Sequence, residues 1–313
     1  MLNPGRSTLR PDKHTVGLCP RRGVACCARF AAVFVCAAAL YAADPYRSEG
    51  FVEIPSSVEL GAVSSVAIGE AGQIYILHRG EPPLLAFDKD GKYTHGWGQG
   101  TFEVAHGMRV DSDGNIWATD NKLHLLWKFS PDGKVLKTIG EKGVAGNDGE
   151  HFRSPDDLVF ATNGDIYIAD AGNGRIVRLS ADGKFLGEWG KKGKGEAEFA
   201  AAHGIAIDGR DRIYVADRGN NRIQVFSKKG EFLDVWTGFG NPFGAIVVGD
   251  ELIVSDGDVH TISHLSLKEG KMTKQWGTPE TLQLPHLMDQ DADGRLYVTE
   301  VNGKRVQIFS RSQ

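Results

Sequence analysis

The 313-residue chain is 41% hydrophobic and 24% charged with a formal net charge of −4, a balance that suits a packed globular core and excludes a disordered chain. Its length admits two average domains, although all-β propellers and barrels of this size commonly form one. All four cysteines (Cys19, Cys26, Cys27, Cys36) fall in the first stretch of the chain, so nothing after it can carry a disulfide framework.

Residues 1–43 place Arg6, Arg10, Lys13, Arg21, Arg22 and Arg29 ahead of the apolar run Phe30 to Leu40, followed by LYAA. Basic region, short apolar region and small residues in that order read as a signal peptide cleaved after Ala42 or Ala43, too short to span a bilayer comfortably. A retained N-terminal anchor is the alternative, and Arg21-Arg22 hints at an export route for folded proteins. The expected location is periplasmic or secreted. Without the leader, 30 basic residues face 39 acidic ones, a formal net charge of −9, which argues against nucleic-acid binding. No membrane contact is expected of residues 44–313, and a monomer is expected.

From residue 72 one phrase recurs six times: GQIYILHR from Gly72, GNIWATDN from Gly114, GDIYIADA from Gly164, DRIYVADR from Asp211, DELIVSDG from Asp250 and GRLYVTEV from Gly294. The starts are 42, 50, 47, 39 and 44 residues apart, the length of one four-stranded propeller blade. β-Branched and aromatic residues mark each phrase as a strand after an Asp, Asn or Gly turn. Three copies run on into similar strands (NGRIVRLS, NNRIQVFS, GKRVQIFS), and further strands end in HGWG, GEWG and KQWG. The expected fold is all-β, a six-bladed β-propeller of NHL-type repeats over residues 44–313, with little helix. Single blades cannot bury both faces, so neighbours must stack. Ring closure is assigned to GFVEIP, Gly50 to Pro55, as the last strand of blade six.

Counting back eight residues from each phrase gives Ser64, His106, Asp156, His203 and His286 in blades one, two, three, four and six, with Pro242 or Phe243 in the shorter blade five. Alternate blades of a six-fold ring are about 120° apart, so three histidines at this position converge on the channel. Three imidazoles suit a divalent metal, and three-histidine zinc with an open fourth position is the catalytic form of such sites. Geometry alone does not select Zn2+ over other first-row metals. A lone loop histidine is more often a capping residue; the six others after the leader (His78, His95, His124, His151, His260, His264) show no such pattern and are read as structural. Arg79 and Arg218 stand just past the inner strands of blades one and four, suited to clamping a carboxylate; the alternative for Arg218 is an ion pair with Asp217. Asp120, Asp170, Asp217 and Asp256 share a column and are read as turn builders.

The stretches AHGMRVD, AHGIAID and LPHLMDQ, with LHRG at Leu77, LHLLWKF at Leu123 and ADRGNNRIQVF at Ala216, resemble the peptidyl-α-hydroxyglycine α-amidating lyases over most of residues 55 to 310. The resemblance implies zinc on His106, His203 and His286, active-site arginines at Arg79 and Arg218, and cleavage of a peptidyl-α-hydroxyglycine into an amidated peptide and glyoxylate. The substrate would be a peptide or small molecule. Two departures stand out. Ala171 and Gly172 occupy the place of the lyases' catalytic tyrosine, and Leu287 that of an aspartate binding structural calcium, which argues against Ca2+ here. Two other readings remain: a non-catalytic NHL propeller binding a peptide or protein partner around a structural metal, and a lactonase-type hydrolase, disfavoured because those use an axial calcium held by carboxylates and Asn.

Overall fold

The computed structural model describes residues 45–312, and the signal-peptide reading of residues 1–43 lies outside them. Six antiparallel four-stranded sheets follow one another along the chain, together forming a six-bladed propeller. Blade one runs from Val63 to Trp97, blade two from Ala105 to Ile139 and blade three from Pro155 to Trp189. Blade four runs from Ala202 to Trp236, blade five from Pro242 to Trp276, and Pro285 to Arg311 supplies three strands of blade six. A two-stranded parallel pair, Lys191–Lys192 with Glu198–Phe199, links blades three and four. The only helix among the described residues is a 3-10 turn, Arg218–Asn220, and no helix among them is long and apolar enough to cross a membrane.

The recurrent phrases form the second strand of each blade, buried along their length as in IYILH, IYIAD and IYVAD. The innermost strand is the one before it. Buried side chains group into six clusters at the six blade-to-blade interfaces. Trp117 and Leu126 of blade two meet Leu158, Ile166 and Ile168 of blade three, and Tyr214, Ile223 and Trp236 of blade four meet Leu252, Val254 and Leu265 of blade five. Each sheet thus buries the apolar face its neighbour exposes, as stacking requires.

Closure differs from the sequence expectation. The fourth strand of blade six is Tyr46–Phe51, paired antiparallel with Arg305–Arg311: it starts four residues before the segment assigned from sequence, of which Gly50 and Phe51 pair with Ile308 and Gln307 and Val52 N–H bonds Val306 O. Tyr46 anchors it, stacked on Trp276 at 5.2 Å and on His264 at 5.5 Å, while Arg47, Ser48 and Glu49 are exposed. Pairing this strand removes a bare sheet edge. The expected outcome of Tyr46→Ala, read by denaturant unfolding, is a loss of about 3 kcal/mol, the low end for an aromatic truncated in a core.

Candidate functional site

Every innermost strand slips register one residue after its start. In blade two Ala105 pairs with Asp120 and pairing resumes at Met108 with Ala118; blades four and six repeat this from Ala202 and Pro285. Blades one, three and five slip between Val63 and Ser65, Pro155 and Asp157, and Pro242 and Gly244. A bulge re-aims the residue it carries. The residues so placed are Ser64, His106, Asp156, His203, Phe243 and His286, which settles blade five on Phe243, since Pro242 pairs with Asp256.

The three histidines meet. Their ring centroids form a near-equilateral triangle of 4.7, 4.8 and 5.0 Å, and one nitrogen from each lies within 4.8 Å of the others. Each Nδ1 faces the bulge carbonyl of the next blade: His106 to Asp156 O at 2.8 Å, His203 to Phe243 O at 2.8 Å, His286 to Ser64 O at 2.6 Å. A carbonyl oxygen only accepts, so Nδ1 carries the proton and Nε2 keeps its lone pair. His203 Nε2 is fully buried without a hydrogen-bond partner. Burial holds His106 and His203 well below the ordinary histidine range, helped by the neighbouring imidazoles, and takes His286 down to about 3. Three neutral imidazoles, each with a backbone acceptor behind it, have the arrangement that metal-ligating histidines require.

The backbone makes room for this. A Cβ on Gly107 would lie 2.4 Å from Asp156 O, and one on Gly204 2.4 Å from Phe243 O, so in blades two and four glycine makes room for the next blade's carbonyl, whereas His286 makes the same bond with Leu287 behind it. Thr119 Oγ1 donates to Asp156 O at 3.0 Å, the same carbonyl that fixes His106, and accepts from Gly107 N–H at 2.8 Å.

Arg79 and Arg218 follow the second strands of blades one and four, and antiparallel pairing of those strands, His78 with Val63 and Asp217 with Ala202, brings them to the histidine end of the channel. Arg79 Nε donates to Ala105 O at 3.2 Å, and the Arg218 guanidinium sits 4.9 Å above the Phe243 ring. Both positive charges act on His106, His286 and Asp156. The Asp217 ion pair goes to Arg222 at 2.9 Å rather than to Arg218.

The aspartate column builds turns. Asp120 accepts from Glu103, Val104, Lys122 and Leu123 N–H, Asp170 from Arg153, Asp217 from Ala200 and Ala201, and Asp256 from Gly240 and Asn241. Glu300 and His78 fill the same place in blades six and one, binding Gln283 and Gly61 N–H. The column was not extended to them in the sequence because neither is an aspartate, although His78 was read there as structural. The remaining histidines are not brought together: His264 accepts from Trp276 Nε1, His124 from Ser154 N–H, and His260 bonds Leu282 O. Leu287 is buried and apolar.

Asp156, the blade-three member of the ring, is the functional candidate the sequence showed without singling out. It is buried, with its oxygens 3.8 Å from His106 Nε2 and 4.0 Å from His203 Nε2, and it accepts a bond from Asn121 Nδ2. Burial pushes its carboxyl up to about 8, against the pull of Arg218, the Asn121 bond and Arg79.

Comparison with known proteins agrees with this architecture. The NHL repeat family matches residues 152–179 and 199–226. Over 160 residues, 42% of this chain, the sequence is 31% identical to peptidyl-alpha-hydroxyglycine alpha-amidating lyase 1 of Drosophila melanogaster, and over 123 residues, 37% of the chain, 36% identical to lyase 2 of the same organism. The matched stretches span 29% and 30% of those relatives' own lengths. Virginiamycin B lyase of Staphylococcus aureus superposes with a TM-score of 0.61 at 17% identity, covering 86% of this chain and 88% of that one, a likeness of fold.

Thr119→Val, which keeps the shape and removes the hydroxyl, is expected to lower stability by about 1–3 kcal/mol in denaturant unfolding, because Gly107 N–H is left buried without its acceptor.

Proposed function

We propose that this NHL propeller is a metal-dependent carbon–nitrogen lyase of the amidating type, holding zinc or another first-row divalent metal on His106, His203 and His286. Its substrate is a peptidyl-α-hydroxyglycine or a related α-hydroxy amide. The reading is carried by three histidines that each bring one ring nitrogen within 4.8 Å of the other two while each Nδ1 is fixed by a backbone carbonyl. Similarity to the amidating lyases of Drosophila melanogaster supports it.

The reaction breaks the hydroxyl O–H bond and the carbon–nitrogen bond, forms the carbonyl of glyoxylate and places one proton on the amide nitrogen. No electrons are gained or lost overall. When bound, a divalent cation supplies Lewis acidity toward the oxygen that gains negative charge. Arg79 and Arg218 take the substrate carboxylate through charge-assisted hydrogen bonds, which fixes the carbinol carbon against the histidine ring. Phe243 stacks under the Arg218 guanidinium and limits its freedom.

Metal-loaded protein is expected to release glyoxylate from α-hydroxyhippurate, and His106→Ala, His203→Ala and His286→Ala each to lose both the metal, by elemental analysis, and the activity. Arg218→Ala should raise KM about 10- to 100-fold, the range for losing hydrogen bonds to a charged group. On a substrate whose carboxylate is replaced by a primary amide, the variant and the wild type should differ little, since that contact is gone from both.

One observation favours a second reading, a non-catalytic propeller binding a peptide or protein partner around a structural metal. Where the resembled lyases have a tyrosine, Ala171 is buried and a Cβ on Gly172 would lie 2.3 Å from Arg153 O. Absence of glyoxylate release by fully metal-loaded wild type selects this reading.

A further inference from the structure

We propose that Asp156 is the catalytic residue that takes the proton of the substrate hydroxyl and returns it to the departing amide nitrogen. The proposal rests on the lyase reading and adds the base that reading lacks. Blade three lies between the two histidine blades two and four, and its bulge turns the Asp156 carboxylate toward the gap between His106 and His203. Asn121, at the end of the second strand of blade two, donates to Oδ1 and fixes the plane of the carboxylate. Among the described residues Oδ2 has no hydrogen bond of its own. A substrate hydroxyl oxygen held at the histidine nitrogens would therefore lie beside a carboxylate oriented to accept its proton.

Other candidates are engaged elsewhere. Tyr167 donates to Lys228 O, and the hydroxyls of Tyr214 and Tyr297 bond Asp208 and Asp291 in turns at the far ends of their strands. Asp157 is held by Arg109 and by Ile205 N–H, and Asp170 and Asp217 by loop N–H groups and arginines. Arg79 and Arg218 are the cations whose charge reaches Asp156 most strongly, and both are committed to the substrate carboxylate.

The step balances. The hydroxyl proton passes to the Asp156 carboxylate, the O–H electron pair forms the glyoxylate carbonyl, and the carbon–nitrogen pair leaves with nitrogen. Nitrogen then takes the proton from the Asp156 carboxyl, so the side chain ends as it began.

The experiment uses Asp156→Asn, which keeps the shape, and Asp156→Ser, whose hydroxyl still accepts from Asn121. Four readouts are taken on metal-loaded protein: metal content, turnover of α-hydroxyhippurate, calorimetric affinity for hippurate, which lacks the hydroxyl, and affinity for mandelate, which has hydroxyl and carboxylate but no carbon–nitrogen bond to break. The expected result is a fall in kcat of about 100-fold or more, mandelate binding about 10-fold weaker, and unchanged metal content and hippurate binding. Turnover within about threefold of wild type in both variants overturns the proposal, because a proton acceptor in the reaction contributes far more than that. Loss of metal or of hippurate binding in both variants also overturns it, showing a ligand or structural role. Wild type that releases no glyoxylate brings down the lyase reading and this inference together, whereas active wild type beside unimpaired variants brings down this inference alone.

Discussion

The site depends on a hydrogen bond made between blades rather than within them. In three of the six interfaces a bulge histidine reaches across to the bulge carbonyl of the next blade, and that bond fixes both the tautomer and the direction of the ring. The histidine triangle therefore inherits its dimensions from the packing of adjacent sheets. Glycine after His106 and after His203 is the local condition, since a side chain there would displace the accepting carbonyl. The His286 bond to Ser64 crosses the interface between the last blade and the first.

Charge along the axis lies in two layers. The first combines three neutral imidazoles, the buried Asp156 carboxyl group and two arginines. Further along the inner strands, Asp157 meets Arg109 at 2.7 Å, and burial raises the carboxyl of Asp289 against the pull of the same guanidinium. Burial still takes Asp157 up to about 6. A lone buried charge costs several kcal/mol, so pairing across blades is a condition for placing carboxylates on the axis at all. The turn aspartates and Glu300 carry a different load. They satisfy the N–H groups of loops entering the inner strands, which would otherwise be lost at the point where pairing slips.

Much of this was legible in the sequence because repetition multiplies weak signals. No single phrase such as IYIAD specifies a propeller, but six at blade spacing do, and the same alignment put His106, His203 and His286 in one column. Legibility failed where the repeat was irregular or the energy non-local. Blade five is a residue short, so only pairing of Pro242 with Asp256 identified Phe243. The closing strand YRSEGF is mostly polar and exposed and is held by backbone pairing and one aromatic, so the more apolar GFVEIP, which overlaps it only at Gly50 and Phe51, drew the assignment. Adjacency suggested an Arg218–Asp217 pair, whereas strand register places Arg222 opposite Asp217. Asp156 stood in the histidine column throughout, yet a single carboxylate has no motif, and its meaning comes from which blades flank it.

A propeller of this kind separates stability from chemistry with unusual clarity. The interfaces between blades are packed with buried aliphatic and aromatic side chains, while the axis carries groups that a core would ordinarily exclude, including a histidine nitrogen buried without a partner. Leaving such an atom unsatisfied costs about 1–3 kcal/mol, and local rules broken in this way mark functional positions. The imidazoles are aimed by backbone carbonyls and the Asp156 side chain by Asn121, so the groups at the centre are held in place in advance of any ligand. Variation of bulge residues from blade to blade then changes the chemistry without touching the interfaces. Blade three is an instance: tightly packed Ala171 and Gly172 follow its second strand and the Asp156 carboxyl group stands at its bulge, so it keeps the strands and neighbours of the other blades and presents a different group to the channel.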